Sequence, residues 1–318
     1  MDGPLSRPAA VPDRGTAGPC RVSTRLTLLH DTRRARNLPL KLYLPDLPRP
    51  KGLILFSHGL GGTREGGATW LNHWASHGFA AIALQHPGSD ASLLHNNSPL
   101  ALRRAFKAAM NPEELAHRVE DMRVVIKHVG HDTGLPNAIN SAPAIGIAGH
   151  SFGAVTVQIL AGERRPDQRQ QPPDPRIRAA LAFSPSARFA HIGPGLDHRF
   201  GHIHLPFISL TGSRDDGMGL SDITAANREL PFHHMPADHG KYLLVFANGT
   251  HLDFAGQASE AEGAVFHIRR NPPLFRDNLL AASTAYWQAH LNGDSDARHW
   301  LTSDFPGRLR PDDRFEHK

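Results

Sequence analysis

The order of apolar and polar positions divides the chain into short β-type runs and longer helical stretches. The first two runs, residues 22–30 and 38–44, flank a polar turn at 31–37, and the second carries leucine at every other position. This pattern predicts an antiparallel hairpin. Beyond residue 50 the runs are continuously apolar, which is typical of parallel strands covered on both faces. These runs are residues 52–56, 79–84 and 144–148, and the alternation continues with predicted strands at 178–183, 207–210 and 242–246.

Helical patterns lie between the continuous runs. Residues 68–77 precede the second of them, and apolar residues recur every three to four positions over 112–129. Asn111 and Pro112 supply an N-cap and a proline at the first helical position of this second helix. Residues 154–161 and 275–291 are further apolar helices. The alternation predicts an α/β protein with a mostly parallel central sheet of about eight strands and helices on both faces.

The chain contains no internal repeat and no proline-rich linker, so we expect one folded domain over residues 21–292. Residues 1–20 contain four prolines and three glycines, which predicts a flexible leader. Residues 293–318 are expected to form a polar C-terminal tail.

Composition excludes several classes of protein. The 35 Lys and Arg against 30 Asp and Glu give a net charge of +5, but the arginine pairs lie far apart, and we expect no nucleic-acid partner. The single cysteine, Cys20, can form neither an internal disulfide nor a cysteine-based metal site. No stretch approaches about 18 consecutive apolar residues, so we expect no stable membrane insertion.

The compartment and the oligomeric state stay open at this point. Residues 1–19 lack the apolar core of a secretory signal, which favours a cytoplasmic protein as the sequence stands. A signal removed from a longer precursor would leave no trace, and the protein would then be periplasmic or secreted.

The strongest chemical signal is the pentapeptide GHSFG at residues 149–153. It follows a predicted buried strand and leads into a predicted helix, which is the setting of a nucleophile elbow. Glycines at 149 and 153 are needed because the chain crowds a serine held in a strained backbone conformation. We therefore predict Ser151 as a nucleophile, the alternative being a serine in an ordinary strand–helix turn.

A serine nucleophile needs a base and a group that orients the base. In α/β proteins with a nucleophile elbow, the order along the chain is Ser, then Asp or Glu, then His, each after a strand. Asp215 and Asp216 follow the run 207–210, and His251 follows the run 242–246. We predict His251 as general base and Asp215 as its orienting carboxylate. The alternative for the two aspartates is a helix N-cap, which Asp216 can form beside a catalytic Asp215, and the alternative for His251 is a solvated loop histidine.

Two amides are candidates for an oxyanion hole, which needs donors aimed at the developing charge. One belongs to Phe152, directly after the serine, and the other to Leu60 in the glycine-rich loop SHGLGG at residues 57–62. The alternative for this loop is a plain glycine-rich turn. Further residues near these loops are weaker candidates for lining a substrate pocket, and for His86 and Asp90 the alternative is a turn-stabilising contact. They are His58, Gly59, His86, Asp90 and His150.

Other histidines form no convincing metal site. His202, His204, His233, His234 and His239 lack both a helical His-x-x-x-His spacing and an acidic residue at ligand spacing, so we expect them at the surface.

At the level of whole motifs the chain resembles an α/β-hydrolase. The segments 56–64, 75–79, 86–90 and 149–153 resemble bacterial predicted dienelactone hydrolases, which are similar to platelet-activating-factor acetylhydrolases and to polyester-cleaving, cutinase-like esterases. The resemblance spans residues 22–292 and implies a serine esterase that needs no cofactor and acts on small-molecule esters with accessible acyl groups. Authentic dienelactone hydrolases have cysteine where this chain has Ser151.

These observations predict a carboxylic ester hydrolase that works through an acyl-enzyme. The alternatives are a lactonase or lipid acetylhydrolase with the same catalytic groups, and a non-catalytic binding protein built on the same fold.

Overall fold

The computed structural model of the chain describes residues 13–94, 98–131, 134–166, 168–187, 195–218, 221–238, 240–256 and 273–318. The strands within these ranges are β1 Val22–Asp31, β2 Arg36–Pro45, β3 Leu53–Ser57, β4 Ala80–Leu84, β5 Ile145–His150, β6 Ile177–Phe183, β7 Phe207–Arg214, β8 Lys241–Thr250 and β9 Arg314–His317. They form a single nine-stranded sheet in the order β1-β2-β4-β3-β5-β6-β7-β8-β9. Strands β3 to β8 run parallel, whereas β1, β2 and β9 join in antiparallel pairs. The predicted α/β class and mostly parallel sheet are confirmed.

Helices connect most of the parallel strands. They are α1 Ala68–Ser76, α2 Pro99–Ala109, α3 Pro112–His128, α4 Asn137–Asn140, α5 Phe152–Ala161, α6 Leu196–Phe200, α7 Ala225–His234, α8 Pro273–Leu291 and α9 Ser295–His299. Shorter 3-10 turns cover Ala91–Leu94, His251–Phe254 and Phe305–Arg308, and a π-turn covers Trp300–Asp304. At the start of α3, the Asn111 side chain accepts a hydrogen bond from the Glu114 amide at 2.9 Å, as the sequence predicts.

The core consists of two apolar layers, one on each face of the sheet. Leu53 and Leu55 of β3 point into the layer covered by α3 and α5, whereas Ile54 and Phe56 point into the layer covered by α1 and α8. This division follows from the alternation of side chains along a strand. Because both faces are covered, successive side chains of the inner strands are buried, which is why their sequence runs are mostly apolar without alternation.

The segment 293–318, expected as a polar tail, instead contains α9 and β9. Strand β9 pairs antiparallel with β8, and its one apolar residue, Phe315, packs against the second core layer. The remaining residues of β9 are polar because the strand lies at an edge of the sheet, where side chains reach water. This strand makes the sheet nine-stranded instead of about eight-stranded.

Part of the expected leader is also described. Residues 1–12 lie outside the described residues, whereas residues 13–20 contact α1. The Cys20 amide donates to the Ser76 carbonyl at 2.9 Å, and His73 Nε2 donates to the Arg14 carbonyl at 3.0 Å. The described part of this segment is therefore hydrogen-bonded to the first helix.

Candidate active site

Ser151 lies in a sharp turn between β5 and α5. Its backbone has φ 56° and ψ −113°, a strained conformation for a residue with a side chain. A Cβ at Gly149 would lie 2.4 Å from the Gly153 carbonyl oxygen, and a Cβ at Gly153 would lie 1.9 Å from the Ser57 carbonyl oxygen. Only glycine fits at either position, and the strand–turn–helix geometry is the one expected from the pentapeptide.

Three side chains predicted from distant parts of the sequence meet at this turn. His251 Nε2 lies 2.8 Å from Ser151 Oγ, and His251 Nδ1 lies 2.7 Å from Asp215 Oδ1. They meet because β5, β7 and β8 are parallel, so that the loops after their carboxyl ends lie at the same edge of the sheet. Serine, histidine and carboxylate form one continuous chain of hydrogen bonds.

The two adjacent aspartates have different surroundings. Asp215 is completely buried and its second oxygen accepts a hydrogen bond from Thr211 Oγ1 at 2.9 Å. Asp216 is exposed, and it accepts a hydrogen bond from the Met218 amide at 2.9 Å within its own turn. The structure therefore places Asp215, and not Asp216, against His251.

A buried arginine that the sequence analysis missed adjoins both Asp215 and His251. Arg228 of α7 has Nε 3.2 Å from Asp215 Oδ1 and Nη2 3.1 Å from His251 Nδ1. Burial alone would raise the pKa of Asp215, but the hydrogen bond from His251 and the charge of Arg228 outweigh it and hold that pKa well below its usual range. Asp215 is thus a carboxylate at neutral pH and can accept a hydrogen bond from the Nδ1–H of His251.

His150 supports the loop that carries His251. Its Nε2 donates to the His251 carbonyl oxygen at 3.0 Å, and the two imidazole rings have centroids 4.8 Å apart. Burial, together with the neighbouring His251, lowers the pKa of His150 to about 3, so its ring is neutral at neutral pH. His150, a candidate for lining a pocket, is 6% exposed and packs against the His251 ring.

The glycine-rich loop after β3 lies directly against the serine turn. Ser57 pairs with Gly149 across β3 and β5, and a Cβ on Gly59 would lie 3.0 Å from His150 Nδ1. Among the described residues, the amides of Leu60 and Phe152 donate to no hydrogen-bond acceptor. An oxyanion hole requires two donors of this kind aimed at the developing charge.

Three other pocket candidates bond to protein neighbours. His58 Nε2 accepts from the His86 amide at 3.1 Å, and both imidazoles are buried. Asp90 accepts from Gln85 Nε2 at 2.7 Å and from Ser92 Oγ at 2.6 Å. These contacts hold the loops after β3 and β4 together and stabilise their turns.

Within the described ranges, no group of three or more His, Cys, Asp or Glu side chains is arranged to hold a metal ion. His204 and His234 each pair with one carboxylate, those of Asp238 and Asp197, at 2.8 and 2.6 Å. His239 lies outside the described residues. In the part of the chain that the structure describes, no helix has both the length and the apolar character needed to cross a bilayer.

Arg118 is a second buried residue that the sequence analysis did not select. It lies on α3 among the core positions Leu115, Val119 and Met122 and is completely buried. A charged residue on the apolar face of a helix was the available signal, because such a residue is buried only where it has polar partners.

No family model matches this chain, and a search of curated proteins finds none that matches it.

Proposed function

We propose that this protein is a serine hydrolase that cleaves carboxylic esters through an acyl-enzyme. The observation that carries the proposal is the hydrogen-bond chain Ser151–His251–Asp215, with its distances of 2.8 and 2.7 Å. A buried carboxylate beside a histidine that contacts a strained serine is the arrangement that activates a serine hydroxyl.

In the proposed reaction, Ser151 Oγ attacks the acyl carbon while His251 Nε2 accepts the hydroxyl proton. The carbonyl oxygen becomes an oxyanion, to which the amides of Leu60 and Phe152 donate. The tetrahedral intermediate collapses as the C–O bond to the alcohol breaks, and His251 returns its proton to the leaving oxygen. A water molecule then attacks the acyl-enzyme with His251 as base, releasing the acid and restoring Ser151.

The fold supports the same proposal. One mostly parallel sheet with helices on both faces is compatible with an α/β-hydrolase, the family that the sequence motifs resemble. Ser151, Asp215 and His251 follow β5, β7 and β8, which is the chain order of nucleophile, acid and histidine in that fold. The chemistry needs no cofactor, since every group it uses is a side chain or an amide of this chain.

Labelling with a fluorophosphonate tests the nucleophile directly. We expect a single adduct on Ser151 Oγ, identified by peptide mass spectrometry, and no adduct in the Ser151→Ala variant. This variant should also lose nearly all turnover and keep its fold, because only the attacking oxygen is removed. A non-catalytic binding protein would stay unlabelled, and more than about a thousandth of the activity remaining in Ser151→Ala would place the nucleophile elsewhere.

A hydrolysis screen identifies the substrate. p-Nitrophenyl esters from acetate to palmitate, a lactone and an acetylated phospholipid would be compared by kcat/KM. Preference for the lactone or the phospholipid would assign the same catalytic groups to a lactonase or a lipid acetylhydrolase.

A further inference from the structure

A second Ser–His–Asp arrangement lies beneath the glycine-rich loop. Ser57 Oγ is 2.9 Å from His86 Nε2, and His86 Nδ1 is 3.0 Å from Asp121 Oδ2. All three side chains are 0% exposed. No substrate reaches Ser57, so this arrangement needs an explanation other than nucleophilic attack.

Each hydrogen bond among Ser57, His86 and Asp121 has a defined donor and acceptor. Burial raises the pKa of Asp121, but the hydrogen bond from His86, together with the charge and the hydrogen bond of Arg36, outweighs this and lowers it. Burial, followed by the charge of Arg118, lowers the pKa of His86 to about 4. His86 is therefore neutral. Its Nδ1–H donates a hydrogen bond to the Asp121 carboxylate, and its Nε2 accepts a hydrogen bond from the Ser57 hydroxyl.

Arg118 supplies the next donor in the chain. Its Nη2 donates to Ser57 Oγ at 3.1 Å and also to the His58 carbonyl oxygen, and its Nη1 donates to Ser89 Oγ at 3.0 Å. Burial lowers the pKa of Arg118 to about 9, which leaves the guanidinium charged at neutral pH.

The same guanidinium contacts both sides of the candidate oxyanion hole. On one side it holds the His58 carbonyl, two residues before Leu60. On the other side its central carbon lies 4.9 Å from the centroid of the Phe152 ring, a cation–π distance. Arg118 thus connects the loop that carries Leu60 to the start of α5.

We propose that Arg118 is a positioning residue that fixes the Leu60 and Phe152 amides relative to each other, and that Ser57, His86 and Asp121 hold Arg118 in place. The inference rests on the proposed serine hydrolase function. Oxyanion donors act over a narrow range, about 2.7–3.1 Å from the oxygen. When they are displaced, they no longer stabilise the negative charge of the transition state. A planar guanidinium suits this task because it donates in several fixed directions at once.

The test compares Arg118→Met and Arg118→Lys with Arg199→Met. Arg199 is a matched control because it is also buried, donates to the Ala187 carbonyl oxygen at 3.3 Å and lies 5.0 Å from the centroid of a phenylalanine ring, that of Phe200. Each preparation is titrated with fluorophosphonate so that kcat is expressed per active serine. The second readout is inhibition by an arylboronic acid, which forms a tetrahedral adduct with the serine.

We expect Arg118→Met to lower kcat by about 10- to 100-fold with KM changed less than about threefold, and to weaken boronic acid inhibition by the same factor as kcat/KM. Arg118→Lys should recover only part of the loss, because one ammonium cannot reach all the acceptors. Arg199→Met should stay within about threefold of the wild-type kcat. If Arg118→Met does not fold, Ser57→Ala removes one acceptor of the guanidinium and should lower kcat about fivefold.

Three results would overturn the inference: a kcat of Arg118→Met equal to that of Arg199→Met, a rise in KM alone, or full recovery by Arg118→Lys. With Ser57→Ala, an unchanged kcat per active serine would do the same. A wild-type protein that neither hydrolyses esters nor takes the label would instead refute the proposed function. The two failures are thus distinguishable.

Discussion

Asp215 and Asp216 are adjacent in sequence, and only one of them contacts His251. We expect Asp215→Asn to lower turnover on the order of 10⁴-fold, because an amide in place of the carboxylate favours the wrong tautomer of the imidazole. Asp216→Asn should cost less than about tenfold, since its partner is a local amide. The measurement is kcat for both variants on the same ester. A larger loss in Asp216→Asn would exchange the two roles.

At the level of single residues, the sequence could identify groups that sit in recognisable motifs. Ser151 stands between two required glycines, and His251 follows the last apolar run before the closing helix. Arg228 and Arg118 lie in no such motif. Each contacts residues of the candidate site that are distant in sequence, and only the fold brings these residues near. Arg118 and Ser57 are 61 positions apart, and Arg228 and His251 are 23 apart.

At the scale of elements, α5 and the loop after β3 are packed so closely that one methyl group should separate them. Alanine normally stabilises a helix by up to about 1 kcal/mol relative to glycine. At Gly153, however, the new Cβ would lie 1.9 Å from the Ser57 carbonyl oxygen, a backbone atom that can yield only if the loop moves. Gly153→Ala should therefore lower both the urea midpoint and kcat, the latter by about 10- to 100-fold.

Gly307→Ala is the control for this prediction, because a Cβ there meets no heavy atom within 4 Å. It should keep the urea midpoint and the kcat of the wild type. A Gly153→Ala variant as stable and as active as Gly307→Ala would show that the loop yields without cost.

The predictability of each element depended on how completely it is buried. The eight strands β1 to β8 match apolar or alternating runs to within a few residues, since burial on one or both faces imposes those patterns. Strand β9 was missed because it buries little more than Phe315 at a polar edge. Helix α2 was also missed. Much of its surface is exposed, and no strand directly precedes or follows it to mark its ends in the sequence.

At the scale of the whole molecule, buried neutral histidines should make the fold sensitive to mild acid. Burial, as the first cause in each case, lowers the pKa of His73, His86 and His290 to about 4 and that of His150 to about 3. In the unfolded chain a histidine binds its proton near pH 6.5. Between about pH 6.5 and 4 the unfolded state therefore binds more protons than the folded state, and the free energy of unfolding falls as the pH falls.

Each such histidine should contribute a slope of about 1.4 kcal/mol per pH unit within this window. Urea titrations at pH 7, 6 and 5 measure it as a falling midpoint. His73→Gln keeps a donor for the Arg14 carbonyl. It should reduce the dependence of the free energy of unfolding on pH by the contribution of one histidine, about 1.4 kcal/mol per pH unit. A midpoint that does not change between pH 7 and pH 5 would contradict the expectation.

The order of strands in the sheet bears on how the protein is made. Spatial order follows chain order everywhere except that β4 lies between β2 and β3. A strand leaving the ribosome thus pairs with a neighbour already synthesised, and the growing sheet covers its exposed edge as it forms. The exception leaves β2 and β3 without their common partner until Leu84 has emerged, 27 residues after Ser57. At a usual rate of about 5–20 residues per second, that gap closes within about one to five seconds.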